Sequence, residues 1–279
     1  MLLLVIQERY FMEQQERIAQ YSIRYEGDWS KIAAALKNRE PVIPQKITDP
    51  FITIFDEDYP EALHDLRFPP WVLFYRGNIE LLKRPAVTIV GSRRMTGYGK
   101  RVTALSASVL SEKYVLVSGL AKGVDGIVHR TAIGCGGNTV GVIGCGLNTR
   151  YPRENEYLFR AMEKEQLILS EYPSSTGVKR HHFPWRNRIL AALGQRVIVT
   201  QASLRSGTMG TVNEAMNLDR EIWCFPYEFD DETGSGCNLL ISQGANIMRD
   251  RRDLEEMNET VHVIRKGKGL PSKKPWVIL

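Results

Sequence analysis

The chain has 279 residues, 43% apolar and 25% charged, the balance of a folded globular protein and not of a disordered or fibrous one. No apolar run approaches the ~20 residues that span a bilayer, and Met1-Leu2-Leu3-Leu4-Val5-Ile6 lacks the length and the basic start of a signal segment, so a cytoplasmic location is expected. Lysine and arginine total 37 against 32 acids, a net charge of +5 that excludes little by itself.

Residues 7–35 mix charged and apolar positions at helical spacing, with Asp28 placed to cap a helix that runs through Ala33-Ala34-Ala35. This reads as a helical N-terminal region over 1–45, joined by a proline-punctuated connector to the main domain, 46–250. Trp71-Val72-Leu73-Phe74-Tyr75-Arg76-Gly77 is an extended segment expected along an edge of that domain. From Ala86 a regular pattern sets in: β-branched runs at 86–90, 114–117, 139–143, 167–169, 196–200 and 222–225 alternate with helix-length stretches. Apolar strands alternating with helices imply an α/β fold, an extended Rossmann-like, doubly wound and mostly parallel sheet with helices on both faces. In such a sheet the loops after the strands open on one rim, where ligands bind. Residues 251–279, acidic first and then basic, read as a charged tail. Cys135, Cys145, Cys224 and Cys237 show no CxxC spacing, so they read as small buried or half-buried residues of a reducing compartment.

Three glycine-bearing loops follow strands: Gly91-Ser92-Arg93-Arg94, Ser118-Gly119-Leu120-Ala121-Lys122-Gly123, and Ser206-Gly207-Thr208-Met209-Gly210. A strand that ends in such a turn and restarts as a helix aims backbone N–H groups and a positive helix end at one place, which suits a phosphate. The cofactor versions of this motif fail on specific residues. A P-loop would need glycine where Arg94 stands, and Gly144-Cys145-Gly146 has no third glycine for a dinucleotide fingerprint. No cofactor and no metal site is read from the sequence. Arg93 and Arg94 offer planar forks suited to phosphate, or one of them pairs with a carboxylate such as Asp125. Arg180-His181-His182-Phe183-Pro184-Trp185-Arg186-Asn187-Arg188 interleaves cations with aromatic rings, the combination that single-stranded nucleic acid needs for its backbone and its bases. Phe183, placed before a helix expected to start near Pro184, is the stacking candidate, and Trp185 reads as a core anchor. His181 and His182 are given no ligand role.

Those residues, with Gly144-Cys145-Gly146-Leu147, Tyr151-Pro152, Ser170-Glu171-Tyr172-Pro173 and Gly236-Cys237-Asn238-Leu239-Leu240-Ile241, resemble in sequence and order the DNA-processing protein A family, also called DprA or Smf. The resemblance runs from about Phe51 to Met248 and implies a non-catalytic, often dimeric Rossmann-like protein. Such a protein binds and protects single-stranded DNA in natural transformation and loads the RecA recombinase onto it. Carried over by position, Gly91, Ser92, Arg93 and Lys122 grip phosphate, Arg180 stands at a DNA-contacting position, and Phe183 meets a base. Arg186, Asn187 and Arg188 support that pocket, Arg153 adds charge at the rim, and Ser206-Gly207 belongs to the last loop. Gln201, Asp219 and Tyr227 depart from the family pattern, which bears on the geometry near the last strands.

A second family keeps part of the last loop. Gly207, Gly210, Thr211 and Glu214 match four of the six fixed positions of the PGGxGTxxE signature of nucleoside-monophosphate phosphoribohydrolases, in which Glu214 would assist ribosyl-bond cleavage. A nucleotide sensor using the same loops is a third reading.

Overall fold

Continuous aliphatic runs bury both sides of a strand, so they require helices above and below the sheet. In the computed structural model, which describes residues 14–260, the strands are β1 (Phe51–Thr53), β2 (Val72–Gly77), β3 (Ala86–Gly91), β4 (Val115–Ser118), β5 (Asn138–Ile143), β6 (Leu167–Ser170), β7 (Arg196–Gln201), β8 (Glu221–Cys224) and β9 (Asn246–Ile247). They form one sheet in the order β1-β2-β6-β5-β4-β3-β7-β8-β9. The pairs among β3 to β9 are parallel, while β1 and β2 run antiparallel beside β6. The expected doubly wound fold is therefore present. From β3 the chain builds outward to β6, then returns to the other side of β3 with β7, so β3 lies where the strand order reverses. The segment expected at an edge is β2, which stands one strand in and is covered by β1.

The helices are α1 (residues 14–24), α2 (Trp29–Lys37), α3 (Glu61–His64), α4 (Gly97–Leu110), α5 (Val124–Gly134), α6 (Glu156–Glu165), α7 (His182–Leu193), α8 (Thr208–Asn217), α9 (Ser235–Ser242) and α10 (Arg251–Thr260). The pleat of β3 shows how they sort. Ala86 and Val90 join a core with Ile189 and Leu190 of α7 and Val212 and Ala215 of α8. Val87 and Ile89 join another with Val102 and Leu110 of α4, Val124 and Val128 of α5, and Leu254 and Met257 of α10. Each fully buried aliphatic side chain contributes about 1.5–3 kcal/mol.

Two expectations change. Residues from 251, read as the opening of a charged tail, form α10. Its Leu254 and Met257 are buried against α4, and the Met257 carbonyl accepts from the Tyr114 hydroxyl at 2.8 Å. An acidic surface hid an apolar i, i+3 pair. The basic stretch 265–274 and the expected helical residues 7–13 lie outside the described residues. Cys145, Cys224 and Cys237 are buried as expected, whereas Cys135 is exposed.

α7 is tied to the sheet by a buried ion pair. Arg188 Nη1 and Nη2 donate to the two Glu171 carboxylate oxygens at 2.8 and 2.5 Å, and Nε donates to the Phe68 carbonyl at 2.9 Å. Both side chains are about 95% buried, at 4% and 5% exposure. Removing one partner leaves an uncompensated charge in the interior. Glu171→Ala is expected to lose about 3–5 kcal/mol of unfolding free energy by urea titration, and Glu171→Leu with Arg188→Met to recover part of that loss. Asp219, one of the departures from the family pattern, sits at φ +52°, a left-handed conformation that glycine adopts freely. Asp219→Gly is expected to raise the stability by about 0.5 kcal/mol in the same titration.

Candidate nucleic-acid interface

The loops that follow β3 to β8 all open at the carboxyl ends of parallel strands, so the three glycine-bearing loops share a rim. The first is pinned at both ends. Ser92 donates its N–H to the Gln201 carbonyl at 2.8 Å and accepts from the Val124 N–H at 3.1 Å, and Thr96 donates its N–H to Gln201 Oε1 at 2.9 Å. Gln201, where the family pattern has an acid, is thus the buried anchor of the Arg93 loop. The second loop closes onto the first at Gly123, whose φ is +81° and whose missing Cβ would stand 2.3 Å from the Ser92 carbonyl oxygen. Only glycine lets the two loops touch there.

Much of the backbone donor capacity at these helix starts is spent inside the protein. The Gly99 N–H goes to Thr96 Oγ1 at 3.1 Å, the Ala121 N–H to the Asp125 carboxylate at 3.2 Å, and the Thr208 N–H to Ser206 Oγ at 3.2 Å. An anion at the rim would therefore be held mostly by side chains.

Arg93, Gly119, Lys122, Gly144, Tyr151 and Phe183 line a small cleft of about 70 Å3. It is assembled from the loops after β3, β4 and β5 and the first turn of α7. Arg93 is exposed and, among the described residues, makes no ion pair; its guanidinium lies over the Phe183 ring, 5.5 Å from the centroid. Tyr151 stands 5.9 Å from the same ring, so two aromatics and a cation converge. Tyr151 is 45% exposed and was missed as a contact, although its place in the loop after β5, beside Arg153, carried the signal. Lys122 also reaches the cleft, where it is ion-paired to Glu154, both side chains being more than half exposed. Arg153 and Arg180 are exposed and without ion pairs among the described residues, close in sequence to Tyr151 and Phe183. Arg94 is likewise exposed and pairs with no carboxylate among the described residues.

Arg186 and Arg188 are buried and do not line the cleft. Both are 4% exposed. Arg186 Nη1 donates to the Gly119 carbonyl at 2.9 Å and to the Val142 carbonyl, and its guanidinium abuts the same empty Cβ position of Gly119 as the Asp125 carboxylate does. Burial raises the pKa of Asp125 and the positive charge of Arg186 offsets part of that rise, while burial lowers the pKa of Arg186 itself. α7 begins at His182, two residues earlier than expected. Phe183 is then the helix's second residue and shares a side with Asn187 at i+4, whereas His182 and Arg186 share the buried side. Asn187 Nδ2 reaches the Gly207 carbonyl at 3.5 Å, which links α7 to the last loop. Ser206 and Gly207 lie on the rim without lining the cleft. His182 stacks on Tyr172 with centroids 3.8 Å apart, and burial lowers its pKa to about 4, so it adds no charge at neutral pH. Glu214 lines a separate groove, with Asn217 and Trp185.

Residues 50–259 match the family described as DNA recombination-mediator protein A. The chain is 39% identical over 205 residues to DNA processing protein DprA of Streptococcus pneumoniae, covering 74% of this chain and 73% of that one. It is 38% identical over 240 residues to the DprA of Bacillus subtilis, covering 81% of each. Among solved structures it superposes on the Streptococcus pneumoniae protein with TM-score 0.73 at 35% identity, over 82% of this chain and 77% of that one. It superposes on DNA processing protein A of Helicobacter pylori, a structure concerned with that protein's single-stranded DNA binding mode, with TM-score 0.69 at 30% identity, over 77% and 99%. With three quarters of its length matched by the family and two such relatives, this chain belongs to the DNA recombination-mediator protein A family.

Proposed function

We propose that the rim cleft grips the backbone of single-stranded DNA, and that the protein binds and protects such strands during DNA uptake and helps load RecA onto them, acting as a cytoplasmic homodimer without catalysing a reaction. The observation that carries the reading is the unpaired Arg93 guanidinium poised over the half-buried Phe183 ring, with Tyr151 beside it. A phosphate takes the fork, and a neighbouring base takes the ring. A strand makes its bases available for stacking, whereas a duplex keeps them paired. The cleft's small volume favours one group of a polymer over a whole nucleotide, since small-molecule sites occupy about 300–1,000 Å3. The family's description as a recombination mediator supports a recombinase as the protein partner.

The phosphoribohydrolase reading places its chemistry on Glu214. That carboxylate belongs to the groove with Trp185 and is not among the residues lining the cleft that holds Arg93. Incubation with AMP is expected to release no adenine, and turnover would restore the enzyme reading.

Single-strand affinity is expected to fall with salt, because each phosphate contact releases counterions. Arg93→Ala and Arg180→Ala should each flatten the slope of log K against log salt by about 0.7, measured by fluorescence anisotropy on oligo-dT. Phe183→Ala should cost about 1–3 kcal/mol of binding with the slope unchanged. Duplex of equal length should bind more weakly. Unchanged slopes in both arginine variants would overturn the assignment of the cleft.

A further inference from the structure

The larger concavity of the protein is a groove of about 730 Å3 between α7, α8 and the segment before β2, lined among others by Arg67, Phe68, His181, Trp185, Glu214 and Asn217. Its volume lies in the range of sites that hold small organic groups. The groove begins at the same turn of α7 as the rim cleft: His181 and Trp185 flank Phe183 in sequence, and Phe183 lines the cleft while they line the groove.

Its chemistry differs from that of the rim. Phe68 and Trp185 are half-buried with centroids 5.6 Å apart, and each carries a guanidinium: Arg67 stands 5.1 Å from the Phe68 centroid and Arg188 4.2 Å from that of Trp185. Two carboxylates, Glu214 and Asp65, line the same space. Arg188 is committed to Glu171, which leaves Arg67 as the groove's arginine without an ion pair among the described residues. A phosphate would meet two acids there. A nucleobase would meet rings for its face and acceptors for its edge. Glu214 makes no hydrogen bond or ion pair among the described residues, so its acceptor capacity is open.

We propose that this groove receives a base of the strand whose backbone lies in the rim cleft, and that Glu214 selects bases bearing an exocyclic amine. The proposal rests on the single-strand reading of the rim. A carboxylate accepts from the N4 amine of cytosine, and thymine presents a carbonyl at that position. The stacking platform tolerates any base, so the edge contact alone sets the preference. The partly matched motif around Glu214, which the rim does not use, thereby gains a role in recognition.

The test uses the full chain in anisotropy titrations with oligo-dT and oligo-dC of equal length. The unsubstituted protein is expected to bind oligo-dC about fivefold tighter or more. Glu214→Ala should bring the two affinities together while leaving oligo-dT unchanged. In a second readout, 2-aminopurine carried along an oligonucleotide should be quenched at one position relative to the site, and Trp185→Leu should relieve the quenching while circular dichroism stays native. If the unsubstituted protein binds both strands equally, or Glu214→Ala keeps the preference, while Arg93→Ala still weakens oligo-dT, the groove assignment falls and the rim reading stands. If free dCMP competes as well as oligo-dC, the groove is a mononucleotide site and the proposal is overturned. Absence of binding to either strand would remove both readings.

Discussion

A guanidinium is costly to bury without acceptors, and the rim of this protein is organised around one. Arg186 comes from α7 and donates through Nη1 to the carbonyls of Gly119, just after β4, and Val142, in β5, with Asp125 of α5 close by. Three elements are thereby fixed to each other at the point where the strands stop. Gly119 has to be glycine because a side chain there would collide with Arg186 and Asp125. The consequence at the surface is Phe183, which lies one turn back on α7 and is presented to the loops carrying Arg93 and Tyr151. A buried charge that would be expensive alone becomes a device for placing a half-buried ring at the surface.

The cations therefore divide into two populations that the sequence lists together. Arg186 and Arg188 are interior and hydrogen-bonded to protein; Arg93, Arg153 and Arg180 are exposed and unpaired among the described residues. Only the second group can exchange solvent for phosphate. Net charge cannot separate them, and neither can the motif, since Arg180 and Arg186 are six residues apart in one continuous basic stretch. Burial decides, and burial is set by where the helix begins.

That starting point marks the limit of what was legible. The strands β3 to β8 could be read directly, because a β-branched run bounded by glycine has few alternatives, and the shared rim follows from the parallel order. The loop residues Gly91, Arg93 and Lys122 were legible for the same reason. The phase of α7 was not: Pro184 reads as a first-turn residue, but His182 is held by Tyr172 and accepts the helical conformation two residues sooner. Arg180, which precedes the first turn, stays in solvent, whereas Arg186 and Arg188, inside the helix, are buried. α10 escaped because eight of its ten residues are polar, and a core contact made by Leu254 and Met257 is invisible until α4 supplies the facing surface. Tyr227 escaped as well. It stands where glycine is typical, and its ring fills the space over Gly234, where a Cβ would come within 1.8 Å of it. One residue grew and its neighbour stayed small, which keeps the loop after β8 closed over the Thr200 carbonyl at 2.7 Å.

Lys122 shows why an ion pair in the structure does not remove a cation from the interface. Its partner Glu154 is on the loop after β5, both side chains are mostly in water, and such a pair is weak because solvent screens it and two long side chains lose freedom to make it. A phosphate entering the cleft brings its own negative charge to the same ammonium, so the exchange replaces one solvated contact with another and the counterions released from the strand tip the balance. The Arg186 site cannot make that exchange, because removing its carbonyl partners would strand the charge in the interior. The protein thus keeps its rigid charges where nothing competes for them and its weakly held charge at the cleft proposed to receive the strand.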